Sequence, residues 1–455
     1  IDKSLSLDET KKRITNMIRN IEHRGPDSTS VIISKYFSSA TARLAIEKIK
    51  EGHQPIISKN KRYILSFNGE IFNYKNIIRK FSFENENVNS EIKLLEKLFQ
   101  LKGTTFVNEL EGQFAISIYD LQKQKLYLFR DRFGIRPLYY KKNDESFIYA
   151  SEIKSISAFS EEVFDTKIKS IASTSLFWSN INKSTSFENI YELQPGYYLT
   201  YDNNNLEIKK YWENPISSQD DNDNYRDFIQ VLKESLKRQI HGEVGFSSLL
   251  SGGIDSSAIA YLLTKIQNSP IDTFSIQFEN KEYDETEAQN KIQKIIKSNH
   301  YPLKISDQDI VDNFEKVINH SEAHLFRTAP VPMYLLSKKV KDVGHKVVFS
   351  GEGADEVLLG YDIYGEIKIR EFWSKFPDSN IRPQLLQKLY YYLPQFNNKR
   401  YFQITKEFYR KNLKNLNNVF YSHQVRWNQY NVIRNFFNLD TDEFSRDKLE
   451  QELLE

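Results

Sequence analysis

Leu249-Leu250-Ser251-Gly252-Gly253-Ile254-Asp255-Ser256-Ser257 decides how this chain is read. A short apolar run at Phe246–Leu250 reads as a buried strand, and the residues from about Asp255 read as a helix. Between them lies a turn of two glycines flanked by hydroxyls. A phosphate needs backbone N–H donors, a helix N-terminus and no Cβ in the way. Ser251, Gly252, Gly253 and the hydroxyls of Ser256 and Ser257 supply these. Asp255 would repel phosphate unless a magnesium ion, which takes carboxylate and phosphate oxygens together, lay between them. The plainer alternative is a glycine turn followed by an aspartate that caps a helix, which is common.

A second segment changes that balance. Phe349-Ser350-Gly351-Glu352-Gly353-Ala354-Asp355-Glu356 also follows an apolar strand, Lys346–Ser350. Between the two segments the pattern alternates. Strands are expected at Ile271–Phe278 and His300–Ile305, and helices at Glu285–Lys297, Gln308–Ser321 and Val331–Val343. A helix at Tyr225–Ile240 precedes them. Alternation of this kind implies a parallel sheet covered on both faces. Ligands of such sheets bind beyond the carboxyl ends of the strands, so both segments are expected on one rim. Asp or Glu in a helix's first turn is the ordinary reading of the second segment alone. Beyond Tyr361 the chain reads as helical.

The residues before this region have another rhythm. Strands fit Arg62–Phe67, Gln113–Asp120, Lys125–Arg130 and Ser146–Ala150, a helix fits Ser90–Leu101, and few other helices are expected in the first two hundred residues. Pro215 to Asn224 is polar and acidic, which makes residues 213–224 the expected linker between domains 1–212 and 225–455. A chain of 455 residues suits two or three domains. Its formal net charge is only +2, with basic residues dispersed, so no field points to nucleic acid or an acidic membrane. Cysteine is absent, which removes disulfides and cysteine-based metal sites from these residues. No apolar run reaches the roughly 18 residues needed to cross a bilayer. The expected compartment is the cytoplasm.

The pairing of SGGIDSS with SGEGADE resembles the glutamine-dependent asparagine synthetase family. The first half resembles it independently. It carries HRGPDS (His23–Ser28), RLAIE (Arg43–Glu47), QPI (Gln54–Ile56), FNGEIFNY (Phe67–Tyr74), EGQFAISIYD (Glu111–Asp120), RDRFGIRPLYY (Arg130–Tyr140), ASEIK (Ala150–Lys154) and LQPGYY (Leu193–Tyr198), in the family's order. The resemblance implies an α/β chain: a four-layer αββα amidotransferase-type domain, then a Rossmann-like parallel-sheet ATP-pyrophosphatase domain with a helical C-terminal part. It implies that glutamine is hydrolysed to ammonia in the first domain. In the second, ATP adenylates a carboxylate, that of the aspartate side chain, and ammonia displaces AMP. No nucleic acid or membrane partner is expected, and a homodimer is compatible with the pattern.

Carried over by position, the resemblance places ATP at Leu249, Ser251, Gly252, Gly253, Asp255, Ser256, Ile276, Ser350 and Gly351. Mg²⁺ falls to Asp255 and Asp355, and Glu352 lies near the aspartate substrate. Glutamine falls to Arg43, Leu44, Ala45, Ile46, Glu47, Asn68, Gly69, Glu70 and Asn89, with Asn68 and the Gly69 N–H forming the oxyanion hole. Taken alone, Arg43 reads as a surface arginine and Asn68-Gly69 as a hairpin turn.

Three features depart from the family pattern. The family's nucleophile is an N-terminal cysteine, whereas this sequence opens on Ile1 and has none. Asn89 stands where the family has an aspartate that holds the α-ammonium of glutamine. The arginine-rich stretch that follows in the family is not seen before Glu455. The expectation is a sequence trimmed at its ends, with a natural loss of glutaminase as the alternative at the N-terminus, and glutamine bound weakly because Asn89 lacks a charge.

Overall fold

The computed structural model describes residues 5–47, 52–84, 86, 88–144, 146–214, 225–240, 242–280, 284–389, 398–427, 430–439 and 444–454. Most of the expected linker, 215–224, lies outside these residues.

One antiparallel sheet organises the first domain. Its strands run in the order Asn205–Lys210, Tyr197–Asp202, Lys125–Arg130, Gly112–Asp120, Tyr63–Ile71, Ile56–Ile57. Side chains alternate across a strand, and here both faces are apolar. Phe114, Ile116 and Ile118 join Leu65, Phe67, Tyr127 and Phe129 on one face, under Leu95, Leu98 and Phe99 of the helix Glu91–Lys102. Ala115, Tyr119, Ile64, Leu126 and Leu128 point the other way. There they meet Tyr140 and Phe147 of a second, three-stranded sheet, ordered Phe147–Ala150, Tyr139–Lys142, Tyr191–Glu192. The far face of that sheet offers Ile148 and Ala150 to Ile14 and Met17 of the helix Leu7–Arg19, and to Ile153 and Ile156 of the helix Ile153–Ser160. The order is therefore helix, sheet, sheet, helix.

Helices in this half are more numerous than the sequence pattern suggested. Leu7–Arg19, Tyr74–Lys80 and Ile153–Ser160 all fold as helices. Leu7–Arg19 is mostly charged and buries only Ile14, Met17 and Ile18, spaced as one narrow stripe. Its start is fixed by the Ser6 side chain, which accepts the Glu9 N–H at 3.2 Å. Asn68-Gly69 is not a hairpin turn; both residues lie inside the strand Tyr63–Ile71.

The second sheet system is parallel, in the order Asn299–Ile305, Asp272–Phe278, Phe246–Leu249, Val347–Phe349. Leu236, Ala260, Leu263 and Ile296 cover one face, and Leu336 and Val340 close over Phe274 on the other. Chain order runs outward from Phe246–Leu249 through its next two neighbours. It then returns to place Val347–Phe349 on the opposite side. The reversal lies between the strands that lead into the two glycine-containing segments, which is where open α/β sheets open a crevice.

Residues 350–455 form a separate compact unit together with 172–179. Its described elements are helical, as the sequence suggested. Trp373, Leu386, Tyr409, Leu413 and Val425 make one core, and Ala172, Leu176, Trp427, Tyr430, Leu439 and Leu449 another. Buried Glu366 is ion-paired with Arg426 at 2.8 Å and accepts the Tyr409 hydroxyl. Among the described residues, no helix is long and apolar enough to cross a membrane.

Gly69 shows how tightly the first sheet is drawn. Its φ is +149°, and a Cβ there would sit 2.0 Å from the Gln113 carbonyl oxygen and 2.7 Å from Phe114 Cα. Backbone atoms of a central strand cannot retreat. Gly69→Ala is expected to destabilise the first domain by about 3 kcal/mol; a denaturant midpoint unchanged from wild type would contradict this packing.

Candidate active sites

A cavity of about 270 Å³ lies within the first domain. Arg43, Leu44, Ile46 and Glu47 line it from the end of the strand Ser39–Arg43, and Asn68, Gly69 and Glu70 from Tyr63–Ile71. Most of the residues expected around an amino-acid substrate are thus brought together. Ala45 and Asn89 are not on the cavity wall. Ala45 is 2% exposed, and its N–H donates to Asp27 Oδ2 at 2.7 Å. Arg43 reaches back to the Glu47 carbonyl at 2.7 Å. Burial lowers its guanidinium pKa, opposed by the charges of Asp27, Glu243 and Glu70. The arginine is therefore one wall of an electrostatically organised pocket and not a solvated surface residue.

Sequence reasoning missed three charged residues in this cavity, Arg24, Arg136 and Glu91. Arg136 lines it, and burial and the nearby Arg24 depress its pKa. Its Nε is buried without a hydrogen-bond partner. Glu91 lines it too, 9% exposed, accepting the Ile71 N–H at 2.5 Å. Burial pushes the Glu91 carboxyl well above the ordinary 4.5, and the charges of Glu70 and Glu47 reinforce the shift. Asn89, two residues earlier, accepts from Lys93 Nζ at 2.8 Å. The amide oxygen at this position is already engaged by a cation one helical turn on.

The glycine turn of the second domain sits as its sequence suggested, between the strand Phe246–Leu249 and the helix Ile254–Gln267. Gly252 has φ +88°, and a Cβ there would approach Ala288 Cβ at 2.8 Å and the Gln289 nitrogen at 3.0 Å. A neighbouring helix, Thr286–Ile296, is thus packed directly on the turn. The turn closes on its own hydroxyls. Ser251 N–H donates to Ser256 Oγ at 3.1 Å, Gly253 N–H to Ser251 Oγ at 3.2 Å, and the two serine hydroxyls lie 2.8 Å apart. Ser257 Oγ is buried without a partner. These are N–H and hydroxyl donors gathered at a helix start, with Asp255 half-buried in its first turn. The donor set suits phosphate oxygens, and the carboxylate suits a hard divalent cation.

Ile276 lies on Asp272–Phe278, and its carbonyl accepts Gln289 Nε2 at 2.9 Å. Behind it a polar chain, buried except at half-buried His300, runs across the sheet. His300 bridges Thr273 Oγ1 at 2.9 Å and Ser275 Oγ at 3.0 Å, and Ser275 donates to Gln289 at 2.9 Å. In the second unit, Ser350, Gly351 and Glu352 precede the short helix Ala354–Leu358, which carries Asp355 in its first turn. Tyr361 donates to Glu356 at 2.8 Å; that bond, with burial and nearby carboxylates, pushes the phenol up to about 12.

Another cluster, His23, Glu152 and His320, has ligand atoms within 4.8 Å of one another. Glu152 is ion-paired with Arg24 at 3.0 Å and with Lys154 at 2.6 Å. A carboxylate so fully matched by fixed cations would set them against an added divalent ion, and the cluster reads as a polar link between domains.

Comparison with known proteins fits this anatomy. Residues 3–212 match the glutamine amidotransferase domain family and residues 227–452 the asparagine synthase family. The chain is 28% identical to asparagine synthetase B (glutamine-hydrolyzing) of Escherichia coli over 370 residues, covering 78% of this chain and 62% of that protein. It is 27% identical to asparagine synthetase (glutamine-hydrolyzing) 1 of Bacillus subtilis, covering 83% and 60%. For a putative asparagine synthetase of Methanocaldococcus jannaschii the identity is 29%, covering 81% and 76%. The chain thus spans about 60% of the length of the first two relatives. Among solved structures, the glutamine phosphoribosylpyrophosphate amidotransferase of Bacillus subtilis matches with a TM-score of 0.32 at 12% identity, covering 64% of this chain and 78% of that one.

Fold and sites define a chain in which an amidotransferase-type domain precedes a parallel-sheet nucleotide-type domain. It belongs to the glutamine-dependent asparagine synthetase family.

Glu91 gives this pocket a measurable signature. Its raised pKa means the folded protein keeps a proton that the unfolded chain has lost. The stabilising effect is full below the ordinary value of 4.5 and is lost as pH rises toward the folded value. Glu91→Gln keeps an acceptor for Ile71 N–H and removes the titration. At pH 8 this variant is expected to melt above wild type, and at pH 4.5 to match it. Parallel Tm-against-pH curves for the two proteins would refute the assignment.

Proposed function

We propose that this chain carries the working parts of a glutamine-dependent asparagine synthetase, with domains at 1–212 and 225–455. ATP adenylates the side-chain carboxylate of aspartate, pyrophosphate leaves, and ammonia derived from glutamine displaces AMP to give the amide. The observation that carries this reading is the donor-lined turn Ser251–Ser257 at the carboxyl end of a central parallel strand. A carboxylate is a poor electrophile, and AMP is a far better leaving group than hydroxide. N–H donors fixed before the reaction stabilise charge as it develops on the departing pyrophosphate.

In this reading Leu249, Ser251, Gly252, Gly253, Ser256 and Ile276 hold ATP, with Ser350 and Gly351 assigned from the family motif. Asp255 and Asp355 would hold Mg²⁺, whose charge would offset that of the phosphates. Glu352 falls to the aspartate substrate. In the first domain the planar fork of Arg43 suits the glutamine α-carboxylate. Asn68 and the Gly69 N–H face the developing oxyanion, and Leu44, Ala45, Ile46, Glu47, Glu70 and Asn89 complete the surroundings. The 455 residues contain no cysteine, so the attacking thiol is not among them. Ammonia-dependent synthesis is therefore the direct assay.

The protein is incubated with ATP, Mg²⁺ and ammonia against a panel of carboxylates, and pyrophosphate is measured. Release dependent on aspartate is expected. Release only with another acid would make this a family amide ligase for that acid, and none with any acid would leave a nucleotide-binding scaffold. Asp255→Asn is expected to cut pyrophosphate release by about 100-fold, the scale of losing one charge-stabilising group. Restoring a carboxylate with Asn89→Asp is expected to tighten glutamine binding by about tenfold, equivalent to ~1.4 kcal/mol from a charge-assisted hydrogen bond. Equal dissociation constants by calorimetry would show that Asn89 does not face the α-ammonium group.

A further inference from the structure

The segment carrying Arg43 is held by residues of both domains. Within the first domain, Asp27 N–H donates to the Arg43 carbonyl at 3.1 Å, and its carboxylate accepts Ala45 N–H at 2.7 Å. From the second domain, Lys346 Nζ lies 2.6 Å from the same carboxylate oxygen and donates to the Ala45 carbonyl at 3.3 Å. One residue further along, Glu243 N–H donates to the Ile46 carbonyl at 2.9 Å. Ala45 is buried, so its N–H and C=O need these partners.

The donors from the second domain are placed with a consequence. Lys346 immediately precedes the strand Val347–Phe349, and Glu243 stands shortly before Phe246–Leu249. These strands are parallel neighbours, with Ser248 opposite Phe349. Their amino ends touch the Arg43 segment, and their carboxyl ends lead into the two glycine-containing segments. The longer strand has four residues and so spans only about 13 Å at ~3.3 Å per residue.

We propose that Lys346 is a positioning residue of the glutamine pocket, supplied by the nucleotide-binding sheet, which sets residues 43–47 by holding Asp27 and Ala45 together. This rests on reading that pocket as a glutamine site. The Asp27–Lys346 pair is about one-third exposed on each side, and such a pair adds little global stability. Its effect is local: it fixes where the Arg43 backbone begins its turn. Asp27 responds accordingly, its carboxyl held below the usual range first by Lys346 and then by the Ala45 N–H. The other charges facing this cluster are Arg43 and, on the far side of that arginine, Glu243 and Glu70.

The test compares wild type with Lys346→Met, Lys346→Arg and Asp27→Asn in the full chain. Hydrogen exchange is followed over residues 41–47, and glutamine affinity by calorimetry. Lys346→Met and Asp27→Asn are expected to speed exchange at Ala45 and Ile46 at least tenfold and to weaken glutamine binding about tenfold. Lys346→Arg is expected to restore most of both, and the global Tm to move little. Unchanged exchange in a folded Lys346→Met protein overturns the proposal, whatever glutamine does. A wild-type chain with no glutamine affinity counts against the glutamine reading, while exchange still decides whether Lys346 sets the segment.

Discussion

Everything in the second domain hangs on the parallel pairing of Phe246–Leu249 with Val347–Phe349. These strands are remote in sequence, and bringing them together costs loop-closure entropy. The cost is offset by cores on both faces, with Leu263 and Ala260 on one side and Leu336 and Val340 on the other. Because Val347–Phe349 joins on the side opposite to Asp272–Phe278, the strand order reverses there. A reversal leaves adjacent strand ends uncovered by a crossover helix. The donor-rich turn therefore begins at a place the topology keeps open.

That arrangement was legible in the residues because its signals are local. A short apolar run, two glycines and an aspartate at a helix start all fall within one stretch of chain. The strand bounds expected from the pattern differ from the folded ones by a residue or so. Gly252 shows what the sequence could not supply. It was assigned to leave room for phosphate, yet its missing Cβ also admits Ala288 and the backbone of Gln289. A second demand on the same glycine comes from tertiary packing, which no local pattern records. The polar chain from His300 through Ser275 to Gln289 was invisible for the same reason: its members come from separate elements.

The first domain was less legible, and its layering explains why. Its central sheet is covered on both faces, so Gly112–Asp120 reads as a nearly continuous apolar run. Such a run does not announce which residue faces a helix and which a second sheet. Leu7–Arg19 escaped notice because a helix lying on the outside of four layers buries only one narrow stripe. Asn68-Gly69 looked like a turn because that dipeptide usually makes one. Here a close approach by Gln113 and Phe114 excludes any Cβ, and the glycine stays extended within a strand.

The cavity itself is a problem of charge. Arg43 and Arg136 line it with Glu47, Glu70 and Glu91, and burial penalises each of Arg43, Arg136 and Glu91 when ionised. Such a set stays soluble in the fold only if part of it is neutral or paired. Burial raises the Glu91 carboxyl pKa and so favours its neutral form, while the charge of Glu70 acts on the guanidinium of Arg43. A zwitterionic amino acid meets the same need in another way, since its carboxylate offers the arginine a partner and its ammonium offers the acids one. Asn89 lies off the cavity wall, its amide oxygen engaged by Lys93. The charge balance of the wall therefore turns on how far burial neutralises Glu91, and the neutral Asn89, engaged by Lys93, adds nothing to it.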